Sequence, residues 1–289
     1  MRKGVGKTVQ ARQLGRYLRD YRKEAGLKVD HVAAELGLSA PTVYRFETGT
    51  SVPRPPDVEA LCRLYGVNGD VSQALTALAK EAETPGWWHS YNGGIPRWFS
   101  VFVSLESEAS HLRVFDSDLI TGVLQTRAYA EAMYEDVEPS TATSEREQVI
   151  SVRMHRQKIL ERRHPPKLDV ILGESALCRS FGDTAVMAEQ MDKLDAVSRL
   201  PHVSIRVVPL KQAHAALAAG TRFILLRFPE ERFGEPPHVY AETLTGALYL
   251  DKLPEVKAYD RVWESTQASA LPPAESREMI NRYRGEYVS

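Results

Sequence analysis

The residues best placed to do chemistry lie between Val29 and Gly49, in VDHVAAELGLSAPTVYRFETG. Val32, Ala33 and Leu36 recur at helical spacing, Gly37 ends that helix, and Ser39 stands where an N-cap opens the next. In the second helix Val43 and Phe46 point inward, which leaves Ala40, Pro41, Thr42, Tyr44, Arg45 and Thr48 outside. Arg45 offers two coplanar donors that fit guanine O6 and N7, a contact that discriminates between bases by about 1–3 kcal/mol. The same fork also fits a phosphate. Ala40 and Pro41 can meet only apolar edges such as a thymine methyl, whereas Thr42 and Tyr44 can bond a phosphate or a base edge. Ser39, Thr48 and Arg54 add donors for the backbone. Two short helices around a Gly-containing turn form the pattern of a DNA-reading helix-turn-helix.

Other chemistry finds less support. Gly6-Lys7-Thr8 has the ending of a phosphate-binding loop, but no strand and no glycine four residues earlier precede it. Histidines at 31, 89, 111, 155, 164, 202, 214 and 238 form no metal-ligand pair, and no nucleophile elbow or dinucleotide glycine cluster occurs. Cys62 and Cys178 are far apart, and Cys62 reads as a buried small hydrophobe. Glu174 and Ser175 follow a strand and His214 lies in a loop, so a small polar site could form there; loop capping explains them without catalysis. The expectation is a chain that binds rather than catalyses, with no catalytic residue, no metal and no cofactor.

These residues need a scaffold, and 289 residues suggest about two domains. Residues 1–66 hold 12 Lys+Arg against 7 Asp+Glu, and the remainder holds 25 against 31. A basic head on an acidic body fits a head that meets an anion. No apolar run approaches the ~18 residues of a membrane span, and the N-terminus lacks the apolar core of a secretory signal, so the expected compartment is the cytoplasm.

Residues 1–10 read as a flexible basic arm. Leu14, Leu18, Tyr21 and Ala25 share one face of a first helix that Gly26 closes. After the helix pair, a Pro-rich turn precedes a helix from about Asp57 to Tyr65, and a fifth runs from about Val71 to Glu83. This gives a DNA-binding domain over residues 1–83. Residues 84–98 form an aromatic, semi-rigid connector with Trp87, Trp88, Tyr91 and Trp98 as a candidate partner or ligand surface.

The C-terminal regulatory domain, 99–289, reads as helical over 99–166 and as a mixed sheet covered by helices over 167–289. A helix runs from Trp98 to about Leu112, and another, long and charged, from Ser144 to Arg163, where the run Arg153, Arg156, Lys158, Arg162, Arg163 suits a solvated face. Strands are expected at 168–172, 203–208, 222–228, 238–243 and 248–250, the first two framing a βαβ unit around a helix at 183–200, with closing helices at 254–270 and 273–287. The fold class is thus an all-α, lambda-repressor-like helix-turn-helix domain joined to a larger mixed α/β domain.

LRDYRKEAGLKVDHVAAELGLSAPTVYRFETG resembles the XRE family of phage-repressor-like helix-turn-helix proteins over about 70 residues. By position, the resemblance places Ala40, Pro41 and Arg45 where that family reads bases, and Arg22 and Glu47 where it keeps a structural ion pair that aims the Arg at a phosphate. The chain departs from the pattern at Lys28, where a Ser/Thr cap is usual, and at Val29 and Ala40, where Gln is common. PGWWHSY, TGVLQT, RQKIL, HAALAAGTRFILLRFP and YAETLTGALYLD resemble hallmarks of actinobacterial regulators of the WhiJ type, whose C-terminal domain is shared with Scr-type antitoxin-like regulators. That resemblance implies a repressor on double-stranded operator DNA, modulated by a small acidic BldB-type protein. Two-fold operators imply a homodimer. A small-molecule-sensing regulator or an antitoxin-like component remains the alternative.

Overall fold

The computed structural model describes residues 9–82, 97–137, 139–219, 222–229, 236–243 and 246–288. They form two compact units, one of residues 9–82 with Ser100–Glu108, the other of residues 97–99, 109–229 and 236–288.

The head contains α1 (Val9–Glu24), α2 (Val29–Glu35), α3 (Ala40–Glu47), α4 (Pro55–Tyr65) and α5 (Gly69–Ala82). Leu14 and Leu18 of α1, Val32 of α2, Val43 and Phe46 of α3, Val58 and Leu61 of α4 and Leu75 of α5 make one core, each buried to 8% exposure or less. Each such side chain contributes roughly 1.5–3 kcal/mol by leaving water, so α3 is held by its inner stripe while its outer face stays free. Cys62 joins this core, and burial pushes its thiol pKa up. Ala25 departs from the expected stripe: α1 ends at Glu24, and Ala25 is exposed in the turn before Gly26, whose φ of +69° reverses the chain.

Two helices begin earlier than their apolar stripes suggest. The fourth starts at Pro55, because proline's fixed φ suits the first helical position, and Asp57 accepts the Arg54 N–H at 3.3 Å. The fifth starts at Gly69, after Asn68 Oδ1 accepts the Val71 N–H at 2.9 Å. Residues 1–8 of the expected arm lie outside the described residues, and its last two, Val9 and Gln10, are helical.

After α6 (Arg97–Glu108) the second unit contains β1 (His111–Asp116), α7 (Arg127–Val137), α8 (Thr143–Gln157), β2 (Lys167–Gly173), α9 (Ser175–Cys178), α10 (Thr184–Val197), β3 (Val203–Val208), α11 (Ala215–Ala219), β4 (Phe223–Arg227), β5 (His238–Thr243), β6 (Gly246–Leu250), α12 (Leu253–Ser269) and α13 (Pro273–Val288). The sheet order is β3-β2-β1-β4-β5-β6. Strands β1, β2 and β3 are parallel, and β4, β5 and β6 continue antiparallel from β1. Phe115, Ile171, Phe223, Leu225, Val239 and Ala241 cluster with Ala216 of α11 and with Val256 and Trp263 of α12. Leu112, Val114, Leu168, Val170 and Leu172 are buried on the opposite face, so both faces are covered.

Two expectations fail here. The stretch 99–166 is not purely helical: the helix that opens it stops at Glu108, and His111 and Leu112 enter β1, the strand that joins the parallel and antiparallel halves. Six residues between two partner strands leave little local signal, since both ladders come from elsewhere in the chain. The charged helix also ends early, at Gln157, and tightens into a 3-10 turn over Lys158–Glu161. Of its basic run only Lys158, Arg162 and Arg163 are solvated; Arg156 is buried and Arg153 half-buried.

Candidate nucleic-acid interface

The helix that carries the candidate residues, α3, is fixed from three sides. At its start, Ser39 Oγ accepts the Thr42 N–H at 3.3 Å and lies 2.8 Å from Thr42 Oγ1, and Pro41 occupies the first turn. At its end, Thr48 donates to Tyr44 O at 2.9 Å and lies 2.8 Å from Thr50 Oγ1, so its hydroxyl is committed to closing the helix. On its inner side, Glu47 is 5% exposed and accepts both arms of the Arg22 fork, at 2.5 Å from Nε and 2.8 Å from Nη2. Arg22 Nη1 donates to Leu27 O at 2.8 Å, so one guanidinium ties α1, the α1–α2 turn and α3 together. The bond to Glu47 raises the already high Arg22 pKa further, against the cost of burial.

Two glycines set how closely α1 can cross α3. Gly15 is buried in α1 directly against the backbone of Phe46 and Glu47. Gly49 has φ +62° and sits against the backbone of Ala11 and Arg12. No side chain fits either place, and Gly49 also takes a conformation that other residues rarely adopt. Neither glycine stands out in the sequence, because the atoms that exclude a side chain are more than 30 residues away.

The outward face follows the expected pattern except at Ala40. Pro41, Tyr44 and Arg45 are exposed, Tyr44 at 56%, and Thr42 is half-buried. Arg45 Nη2 donates to Thr42 Oγ1 at 3.0 Å, so the Ser39–Thr42–Arg45 chain holds the exposed guanidinium over the first turns of α3. Ala40 is half-buried and packs on the head core, which leaves it a smaller outward surface than Pro41. Arg54 is exposed but paired with Asp57 at 3.0 Å. Lys28 makes no side-chain cap for α2, and Val29 is a core residue, 7% exposed, with no polar group to offer. Trp87, Trp88 and Tyr91 lie outside the described residues; Trp98 falls in the first turn of α6, and its side chain lies outside them too.

In the second unit, TGVLQT is a tightly bonded loop. Gln190 of α10 accepts the Thr126 N–H at 2.8 Å and donates to Leu124 O at 2.9 Å. Gln157 of α8 donates to Gly122 O and Gln125 O, at 3.0 and 2.7 Å. Gln125 is 2% exposed, bonds Ile120 O at 2.7 Å and accepts from Arg153, while Lys193 donates to its carbonyl at 2.9 Å. Arg153 and Arg156 turn inward because they stack on Tyr134 and Phe99, with the carbon of each guanidinium 5.4 and 5.1 Å from the ring centre. Glu174 accepts the Leu210 N–H and the Tyr283 hydroxyl, each at 2.8 Å, and Arg282 at 3.0 Å. Burial pushes its pKa up, but these donors together hold it below the usual range. Ser175 donates to Ser117 O at 2.5 Å, and His214 packs edge-on against Phe115, so each has a structural part.

Two family models match the chain. Residues 13–75 match a helix-turn-helix domain, and residues 99–282, more than half of the chain, match a domain of unknown function, DUF5753. The chain belongs to the DUF5753 family. Its head is a helix-turn-helix domain, the mark of a DNA-binding regulator. No curated protein and no solved structure gives a significant match. Among the described residues no helix is long and apolar enough to cross a membrane.

Proposed function

We propose that the chain is a transcriptional repressor of the XRE, WhiJ-like kind that binds operator DNA as a homodimer through α3. The observation that carries this reading is the exposed Pro41–Tyr44–Arg45 face on a helix locked from behind by the Arg22–Glu47 fork. Arg45 reads a base or grips a phosphate, Thr42 and Tyr44 contact the backbone or a base edge, and the basic arm adds contacts that carry no sequence information. The DUF5753 domain acts by binding: a small acidic BldB-type partner engages it and tunes the affinity of the head, and no residue in it is assigned to catalysis. The protein works in the cytoplasm, on the nucleoid.

Selection of bound fragments from genomic DNA by the purified protein, with and without its small acidic neighbour, tests the reading. Enrichment of one two-fold motif whose occupancy changes with the neighbour supports it. Binding that enriches no motif, or that responds only to a metabolite extract, overturns the repressor and the partner assignment respectively.

A further inference from the structure

The two edges of the six-stranded sheet are treated differently. At β3, the Val207 N–H donates to Ser276 Oγ of α13 at 2.9 Å and Val207 O accepts the Leu271 N–H at 2.9 Å, so the α12–α13 link and the first turn of α13 bond that edge at Val207. Among the described residues the other end of the sheet is β6, with the sequence Gly246-Ala247-Leu248-Tyr249-Leu250. It contains no charge and no proline, the usual devices that keep a terminal strand from recruiting another. Leu248 is 54% exposed there, and Leu253, three residues beyond β6 at the start of α12, is 60% exposed.

The register says which way Leu248 faces. It stands opposite Ala241, and Leu250 stands opposite Val239; Ala241, Val239 and Leu250 all belong to the cluster beneath α12. Leu248 therefore extends that apolar face beyond the part the helix covers.

We propose that β6 pairs antiparallel with β6 of a second copy of this chain, around a two-fold axis at Leu248, to give a continuous twelve-stranded sheet across a homodimer. The sequence is self-complementary in this register. Leu248 meets its own copy in an apolar pair, and on either side a large residue faces a small one, Tyr249 across from Ala247 and Leu250 across from Gly246, with no charges opposed. The exposed Leu248 pair closes into one strip on the α12 face. This rests on the dimeric reading of the head and names the surface that makes the dimer.

A two-fold at Leu248 brings residue 248 within cross-strand distance of itself, ~4.5–5.5 Å, which a disulfide can span. Leu248→Cys is made in the full chain with exposed Cys178 changed to Ser; Cys62 is buried. Mild oxidation is expected to yield a covalent dimer. Ala247→Cys, on the other face and two positions out of line with its own copy, is expected to stay monomeric under the same treatment. Sedimentation of wild type at tens of micromolar is expected to show a dimer, and Leu248→Lys a monomer with an unchanged circular dichroism spectrum. A wild-type dimer that persists in Leu248→Lys, or that cross-links equally well through Ala247→Cys, overturns this interface and leaves the dimeric reading standing. A wild type that is monomeric both free and on DNA overturns both.

Discussion

A Cβ placed on Gly15 would stand 2.3 Å from the carbonyl oxygen of Phe46, closer than two such atoms can come. Helix α3 therefore owes its seat on α1 to a missing side chain. Gly15→Ala must push α1 and α3 apart, and overpacking of this kind costs about 1–3 kcal/mol or more. Chemical denaturation should show the loss in the head's transition, with DNA affinity falling in parallel. An alanine variant as stable as wild type would mean that the two helices slide past each other freely.

Glu47→Gln should be more damaging than its small change in shape suggests. It leaves the Arg22 guanidinium, 11% exposed, without its counter-charge, and removing one member of a buried pair costs roughly 3–5 kcal/mol. Arg22→Lys keeps a charge but loses the fork and the Leu27 bond, so it too should lower stability. Thermal melts of both variants check this; wild-type melting temperatures would reduce the pair to a surface contact.

Arg45→Ala should separate reading from folding. The side chain is exposed and its intramolecular bond is to Thr42, so stability should stay within about 0.5 kcal/mol of wild type. Affinity for a selected operator should fall ten- to a hundredfold, from about 1–3 kcal/mol of base discrimination. Affinity for scrambled DNA should fall less. Equal losses on both would assign Arg45 to phosphate.

Asp116 gives a pH signature to the second unit. It is 6% exposed at the end of β1, and burial raises its pKa to about 6, although the Asp118 and Leu119 N–H groups bond its Oδ1 at 3.2 and 3.0 Å. A raised folded-state value means that this group favours folding most below its unfolded pKa, near 3.8, and that the contribution is lost as pH rises through about 6. Asp116→Asn keeps an acceptor and cannot ionise. The stability of the variant relative to wild type should therefore rise between these two values, by an amount of order 3 kcal/mol, and stay level above. Urea midpoints measured at several pH values test this, and a difference that does not vary with pH would remove Asp116 as its source.

Local signals carried the head. Ser39, Pro41 and Gly37 act within a turn of where they stand, and the Val43–Phe46 stripe is a property of helical period alone, so α2, α3 and the exposed face were readable from residue order. Glu47 was legible only through resemblance, since nothing in a period distinguishes a buried carboxylate from an exposed one. In the body, the β2–α10–β3 alternation and the three antiparallel strands were readable for the same local reasons.

What tertiary structure alone decided depends on partners remote in sequence. Gly15 and Gly49 matter because backbone from another helix passes where a side chain would be. His111–Asp116 is a strand because β2 and β4 lie beside it, and Arg153 turns inward because Gln125 and Tyr134 wait there. The contrast between a β3 bonded at Val207 by α13 and the α12–α13 link and an apolar β6 exists only once the sheet is ordered. Residue order by itself determined a helix-turn-helix and the outward face of its second helix, because capping and periodicity are short-range. The close helix crossing, the central strand and the place of β6 at one end of the described sheet were settled by long-range contact, which local preference does not encode.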